Sequence, residues 1–185
     1  MSYLPADQIE KLRKTPGVRV SQDQTMRTFL IRMNNQRPPF DNVHFRRALS
    51  YAFNYAGFIE NVKHNAAVRN PGPIPVSLWG SPPDLKGYTY DLEKAKAELA
   101  LAKQDGADIG REFDLEPQSD LEETVMAAQL YQSDLLKIGL KPRVVKKLWA
   151  NLSSEATKAD TAPDMWIHWI SAYFHRSREL DRPGL

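Results

Sequence analysis

The chain contains no cysteine in its 185 residues, which excludes disulfide bonds, thiolate metal ligands and a cysteine nucleophile. It also lacks an excess of charge of either sign, since 25 Lys and Arg against 23 Asp and Glu give a formal net charge of +2. Interspersed charges of this kind do not build the basic surface that nucleic-acid or anionic-membrane binding requires. We therefore predict no nucleic-acid partner.

Long apolar runs and glycine-rich motifs are missing as well. No stretch approaches the ~20 apolar residues of a membrane-spanning helix, and residues 1–17 have no apolar core of the signal-peptide type. None of the nine glycines belongs to a nucleophile-elbow, phosphate-loop or dinucleotide-binding pattern. With no such motif present, we predict that the protein is not an enzyme.

What is present is the composition of an ordinary globular protein, with 42% hydrophobic and 26% charged residues. A chain of this length can bury a core, as one domain or as part of a larger one. The clearest pattern is a strand over 111–117, a long helix ended by Gly139, and a strand over 140–147. Such a unit pairs its two strands in parallel, so we predict an α/β fold.

Local signals place further elements around this unit. Asp41 is the predicted N-cap of a helix over 42–59, and Asp91 and Asp120 are the predicted caps of the next two helices. The segment 69–90 carries five prolines and three glycines without periodicity, which predicts a long extended loop. The remaining predictions are helices over 6–14 and 149–159 and strands over 18–20, 27–33 and 164–174.

Histidines and an arginine pair offer two other functions. His168 and His175 are seven residues apart near a predicted strand, with no carboxylate or thiolate at a metal-ligand spacing. A metal-binding or hydrolytic enzyme domain that uses these two histidines is kept as the alternative function. Arg46 and Arg47 lie near the margin of a predicted helix, and we interpret them as structural rather than anion-binding.

Tryptophan is the most informative residue type in the chain. Trp166 and Trp169 stand three positions apart on the last predicted strand, so their side chains face opposite sides of the sheet. Trp79 lies in the long loop, where a large apolar side chain needs either a buried place or a ligand. Core packing is the commoner explanation for any single tryptophan, and the wall of a ligand site is the alternative.

Several segments, taken in order, resemble one protein family. The stretch LIRMNNQRPPFDNVHFRRALSYAFNYAGFI (30–59) resembles the signature of the extracellular solute-binding proteins of family 5, the peptide/nickel/opine type that serves ABC importers. In that family a strand ends in Asn, a loop carries Pro-Phe-Asp, and a helix follows. Four later segments of this chain are also similar to segments of that family: GPIPVSLWG, YTYDLEKAKAEL, AAQLYQSDLLKIGLKPRVV and MWIHWISAYF.

The resemblance implies a type II periplasmic-binding-protein lobe, with a mixed, mostly parallel sheet flanked by helices. It implies that residues 1–174 are a partial solute-binding protein, mainly the C-terminal lobe. Residues 175–185 form an atypical tail, which we interpret as non-native or as a divergent native loop. The receptor would be a monomer without a cofactor, in the periplasm or at the extracellular surface. It would deliver a small polar solute, such as an oligopeptide or an opine, to ABC permease subunits.

The site residues implied by the resemblance are Trp169, Ser171 and Ala172 on the cleft strand, with Trp79 on the long loop. In peptide-binding relatives the cleft strand carries an Asp three residues after its Trp, and that position is Ala172 here. A buried ligand ammonium would lose its charge-assisted partner at this position. The expected site is therefore one that does not hold a free peptide N-terminus in the usual way.

Overall fold

The structure, a computed structural model, describes residues 6–21, 25–76, 78, 80–82 and 84–171. Among these residues no helix has the length and apolarity needed to cross a bilayer. The helices are α1 (Ala6–Arg13), α2 (Val43–Ala52), α3 (Tyr55–Gly57, continued by a π-helical turn over Phe58–Val62), α4 (Leu92–Gln104), α5 (Glu122–Lys137) and α6 (Trp149–Glu155). The strands are β1 (Arg27–Met33), β2 (Glu112–Pro117), β3 (Lys141–Val144) and β4 (Met165–Ser171).

The four strands form one sheet in the order β1-β4-β2-β3. β2 pairs in parallel with both β3 and β4, whereas β1 runs antiparallel to β4 and places Arg27 opposite Ser171. The parallel pairing of β2 with β3 on either side of α5 in the sequence confirms the predicted strand–helix–strand unit. The sheet as a whole is the predicted mixed, mostly parallel α/β sheet.

The core lies between the sheet and helices α2, α4 and α5. Phe40, Phe45 and Phe113 meet edge to face, with ring centroids 5.2 to 6.2 Å apart. Each of these side chains is almost fully buried, and burial of each contributes about 1.5–3 kcal/mol to folding. The Tyr131 hydroxyl donates to the Leu49 carbonyl at 2.7 Å, which ties α5 to α2.

The turn before α2 differs from the prediction in its capping residue. Asn42, not Asp41, is the N-cap, because the Asn42 side chain accepts from the Phe45 backbone N–H at 3.0 Å. Arg46 donates to the Phe40 and Asp41 carbonyls at 2.7 and 2.9 Å. These bonds hold the Asp41 carbonyl in the preceding turn, so the helix begins one residue later. Arg46 has the structural role that the sequence suggested.

The single helix predicted over 42–59 is broken in the structure. α2 ends at Ala52, and Phe53 takes an extended conformation with φ −85° and ψ 123°. Asn54 then caps a separate turn, since its side chain accepts from the Gly57 backbone N–H at 2.9 Å. An asparagine that can cap a new turn competes with helix continuation, and the broad apolar pattern concealed this break.

One predicted strand and two predicted helix boundaries were also wrong. Residues 18–20 pair with no strand in the described part of the chain, and strand propensity alone does not form a strand without a partner. α5 begins after Leu121 rather than after Asp120, whose carboxylate instead accepts from the Gln118 side chain at 3.0 Å. α6 ends earlier than predicted.

A buried carboxylate organises the entry to β4. Asp164, which is 5% exposed, accepts from Arg111 Nη2 at 3.0 and 2.9 Å and from Arg37 Nη1 at 3.3 Å. It also accepts from the Asp114 backbone N–H at 3.3 Å. Asp164, the residue before β4, is therefore bonded to Arg37 in the loop after β1, to Arg111 just before β2 and to the β2 backbone at Asp114.

Candidate functional site

The carboxyl ends of β4 and β2 lie at one edge of the sheet because these strands are parallel. β1 is antiparallel to β4 and begins at that edge, and α5 begins there after β2 has ended. We call this the carboxyl edge, defined by the strand ends Arg27, Pro117 and Ser171. In open α/β sheets, ligands bind outside the carboxyl ends of the strands, so this edge is the candidate functional site.

Trp169 lies half-buried at the carboxyl edge, near the end of β4. Its indole Nε1 donates to Glu123 Oε1 at 2.8 Å. The Phe29 ring meets the indole at 76°, with 5.1 Å between centroids. The Arg27 guanidinium and the Lys63 ammonium lie 4.8 and 5.1 Å from the indole centroid. Trp169 is therefore contacted from β1, from the first turn of α5 and from the residue after the π-helical turn.

An ion pair supports this arrangement. Lys63 Nζ lies 3.6 Å from Glu123 Oε1, and the two side chains are only 10% and 17% exposed. Because water is largely excluded from this pair, its attraction exceeds that of a typical surface ion pair. Arg27 brings a second cation to the same indole ring.

Sequence reasoning missed Glu123, Lys63 and Arg27. Glu123 and Trp169 are 46 positions apart in the chain, and no local pattern connects them. The one available signal was that Glu123 falls in the first turn of a helix that follows a parallel strand. That position carries side chains to the edge at which the neighbouring parallel strand also ends.

The predicted site residues divide into two groups. Ser171 is exposed at the end of β4 and shares the carboxyl edge with Trp169. Ala172 and Trp79 lie outside the described residues, so their assignment stays a prediction. The structure thus brings two of the four predicted residues to one edge of the sheet.

His168, the first residue of the alternative function, points to the opposite face of the sheet from Trp169. It is 4% exposed, and its ring stacks on Trp149 with 5.4 Å between centroids. Burial lowers the pKa of His168 to about 4, so the imidazole is neutral at pH 7. His175 lies outside the described residues. Within the described ranges no group of three His, Cys, Asp or Glu could hold a metal ion.

Glu116 is a second buried titratable group, near the carboxyl end of β2. Burial raises its pKa to about 7, although Lys147 Nζ, 3.8 Å from Glu116 Oε2, acts in the opposite direction. Lys147 is itself held more closely by Glu155, with Nζ 2.7 and 2.9 Å from the two carboxylate oxygens. Lys147 therefore lies closer to Glu155 than to Glu116, so the negative charge of Glu116 is poorly compensated.

Two surface depressions lie away from Trp169 and Ser171. One of about 530 Å³ is lined by Gln36, Arg37, Pro38, Ala159 and Asp160, near the end of β1 opposite to the carboxyl edge. The other, of about 370 Å³, is lined by Tyr51, Lys86, Gly87, Tyr88, Thr89 and Lys94. Neither includes Trp169 or Ser171.

The arrangement of sheet, helices and carboxyl edge has known counterparts. Residues 1–180 match the family of bacterial extracellular solute-binding proteins described as family 5 Middle. The chain belongs to this family. Members of family 5 are substrate-binding transport proteins rather than enzymes, which agrees with the function expected from the sequence.

Two relatives illustrate the match to family 5. Heme-binding protein A of Haemophilus influenzae is 31% identical over 82% of this chain and 28% of its own length. The dipeptide-binding protein of Escherichia coli is 30% identical, again over 82% of this chain and 28% of its own length. The chain thus spans less than a third of the length of these curated relatives.

Solved structures confirm the predicted family 5 fold. A periplasmic binding protein from Helicobacter pylori in complex with a peptide superimposes with a TM-score of 0.78 at 24% identity, over 92% of this chain and 32% of that one. An oligopeptide-binding protein from Bacillus subtilis in complex with a nonapeptide gives a TM-score of 0.80 at 21% identity, over 96% of this chain and 37% of that one. The type II periplasmic-binding-protein lobe is the fold that the resemblance implied.

Proposed function

We propose that this chain is part of the solute-binding component of an ABC importer, with residues 1–174 contributing mainly the C-terminal lobe. Family membership over residues 1–180 is the observation that carries this proposal. Such a receptor encloses its solute between two lobes, and hinge closure presents the loaded form to the permease subunits. The protein would act as a monomer in the periplasm or at the extracellular surface.

We propose that the solute meets this lobe at the carboxyl edge. Trp169 would supply a flat aromatic contact and Ser171 a hydroxyl, with Ala172 beside them and Trp79 reaching in from the long loop. The half-buried Trp169 and the exposed Ser171 at the same edge support this placement.

The solute would be a small polar molecule of the oligopeptide or opine class, or one similar to these. The relatives are named for heme and dipeptides, and related solved structures hold peptides or a nickel–histidine complex. Ala172 has no carboxylate with which to pair a ligand ammonium. We therefore expect a free peptide N-terminus to be bound elsewhere in the cleft or not at all.

The test is a comparison of two alanine variants in the whole protein that contains this chain. A thermal-shift screen with dipeptides, tripeptides, hemin and nickel–histidine would identify a ligand, which calorimetry then titrates. Trp169→Ala should weaken binding by about tenfold or more, since loss of a buried aromatic contact costs at least ~1.4 kcal/mol. Arg46→Ala is the control, because Arg46 binds backbone carbonyls away from the carboxyl edge.

Both variants are compared with the wild type at equal folded fraction. An affinity of Trp169→Ala equal to that of the wild type would remove Trp169 from the site. An equal loss in both variants would mean that the effect is not specific to Trp169, because Arg46 lies away from the carboxyl edge.

A further inference from the structure

The orientation of the Trp169 ring is not set by β4 alone. A tryptophan side chain has two rotatable bonds, and the strand fixes only the Cα position and the face of the sheet. The Phe29 ring, the Arg27 guanidinium and the Lys63 ammonium contact the indole ring system rather than its N–H group. The hydrogen bond from Nε1 to Glu123 Oε1, at 2.8 Å, is directional. A carboxylate acceptor makes this bond about twice as strong as one between neutral groups.

Glu123 is itself held in place from two sides. It is the second residue of α5, and an acidic side chain in the first turn is favoured by the positive end of the helix macrodipole. Lys63 Nζ lies 3.6 Å from the same oxygen, Oε1, that accepts from Trp169. With the Glu123 side chain only 17% exposed, water competes weakly for this carboxylate.

We propose that Glu123 is a positioning residue of the solute site, whose carboxylate fixes the orientation in which the Trp169 ring meets the solute. This inference rests on the proposed function, because it requires Trp169 to contact the solute. It assigns a role to the first turn of α5, which this bond connects to β4. Lys63 supports the same carboxylate from the end of the π-helical turn.

The orientation of the ring can be measured without any ligand. In protein labelled with 5-fluorotryptophan, the 19F signal of residue 169 is assigned as the one missing from Trp169→Phe. Glu123→Ala removes the acceptor, so this signal should shift and broaden as the ring samples several rotamers. Glu123→Gln retains a side-chain oxygen that can accept from Nε1, and its signal should stay near that of the wild type.

Glu122→Ala is the matched control. Glu122 is an exposed acid in the same first turn of α5, so its removal changes the helix terminus in the same way. The signal of residue 169 should not move in this variant. An unchanged signal in Glu123→Ala would overturn the proposal, and so would equal shifts in Glu123→Ala, Glu123→Gln and Glu122→Ala.

Solute binding adds a second measurement with a separate meaning. With the ligand from the screen, Glu123→Ala should bind about tenfold more weakly, and Glu123→Gln should restore most of the affinity. If Trp169→Ala binds as well as the wild type, the proposed site is wrong while the 19F result still stands. If Trp169→Ala loses affinity and Glu123→Ala does not, the site is right and the positioning role is wrong.

Discussion

Replacing Asp164 by alanine removes a buried carboxylate that two arginines share. Its side chain is 7% exposed, and it accepts from Arg111 at 3.0 and 2.9 Å and from Arg37 at 3.3 Å. Breaking a fully buried ion pair costs ~3–5 kcal/mol. The arginine side chains are 32% and 34% exposed, so water recovers part of that energy in the variant. We expect the free energy of unfolding to fall by about 2–3 kcal/mol.

Urea unfolding measures this loss, and the thermal midpoint should fall by about 4–12 °C. Asp160→Ala is the matched control, because Asp160 is a nearby exposed acid whose backbone carbonyl, not its side chain, accepts from Arg37. That control should change the free energy of unfolding by about 0.5 kcal/mol or less. Equal losses in the two variants would refute the view that the shared carboxylate holds the entry to β4.

The remaining predictions concern buried polar groups. Tyr131→Phe removes the donor of the 2.7 Å bond to the Leu49 carbonyl and should lower the free energy of unfolding in urea by about 1 kcal/mol. Burial raises the pKa of Glu116 to about 7, so stability should fall as the pH rises from 4.5 to about 7. Burial lowers the pKa of His168 to about 4, so stability should fall as the pH drops from 6.5 to about 4. These slopes oppose each other in the wild type. Between pH 4.5 and 6.5, the free energy of unfolding should therefore rise with pH in Glu116→Gln and fall with pH in His168→Phe. Parallel curves of the free energy of unfolding against pH for the wild type and both variants would contradict this account.

Elements whose signals are local were predicted well from the sequence. Asp91 caps α4 by accepting from the Lys94 backbone N–H at 3.0 Å, as an Asp before a run of helix formers suggests. Gly139 has φ +84° just after α5, a conformation that glycine adopts without strain. The parallel pairing of β2 with β3 followed from the helical crossover that connects them.

Predictions that depended on competition between neighbouring groups were less accurate. Asp41 and Asn42 are both good capping residues, and the bonds that Arg46 makes to the preceding carbonyls decided between them. The apolar pattern through 42–59 did not reveal the break at Asn54. In each case the deciding contact was a side-chain hydrogen bond to the backbone, which periodicity does not report.

The sequence by itself determined the α/β class, the order of most elements and, through its resemblance to family 5, the strand that carries Trp169 and Ser171. Local propensity, capping residues and hydrophobic period are properties of neighbouring positions, so they can be recognised without coordinates. Only the tertiary structure decided what surrounds Trp169. Lys63 and Glu123 are remote from it in sequence, and they reach it because parallel strands and the helix after β2 meet at one edge of the sheet.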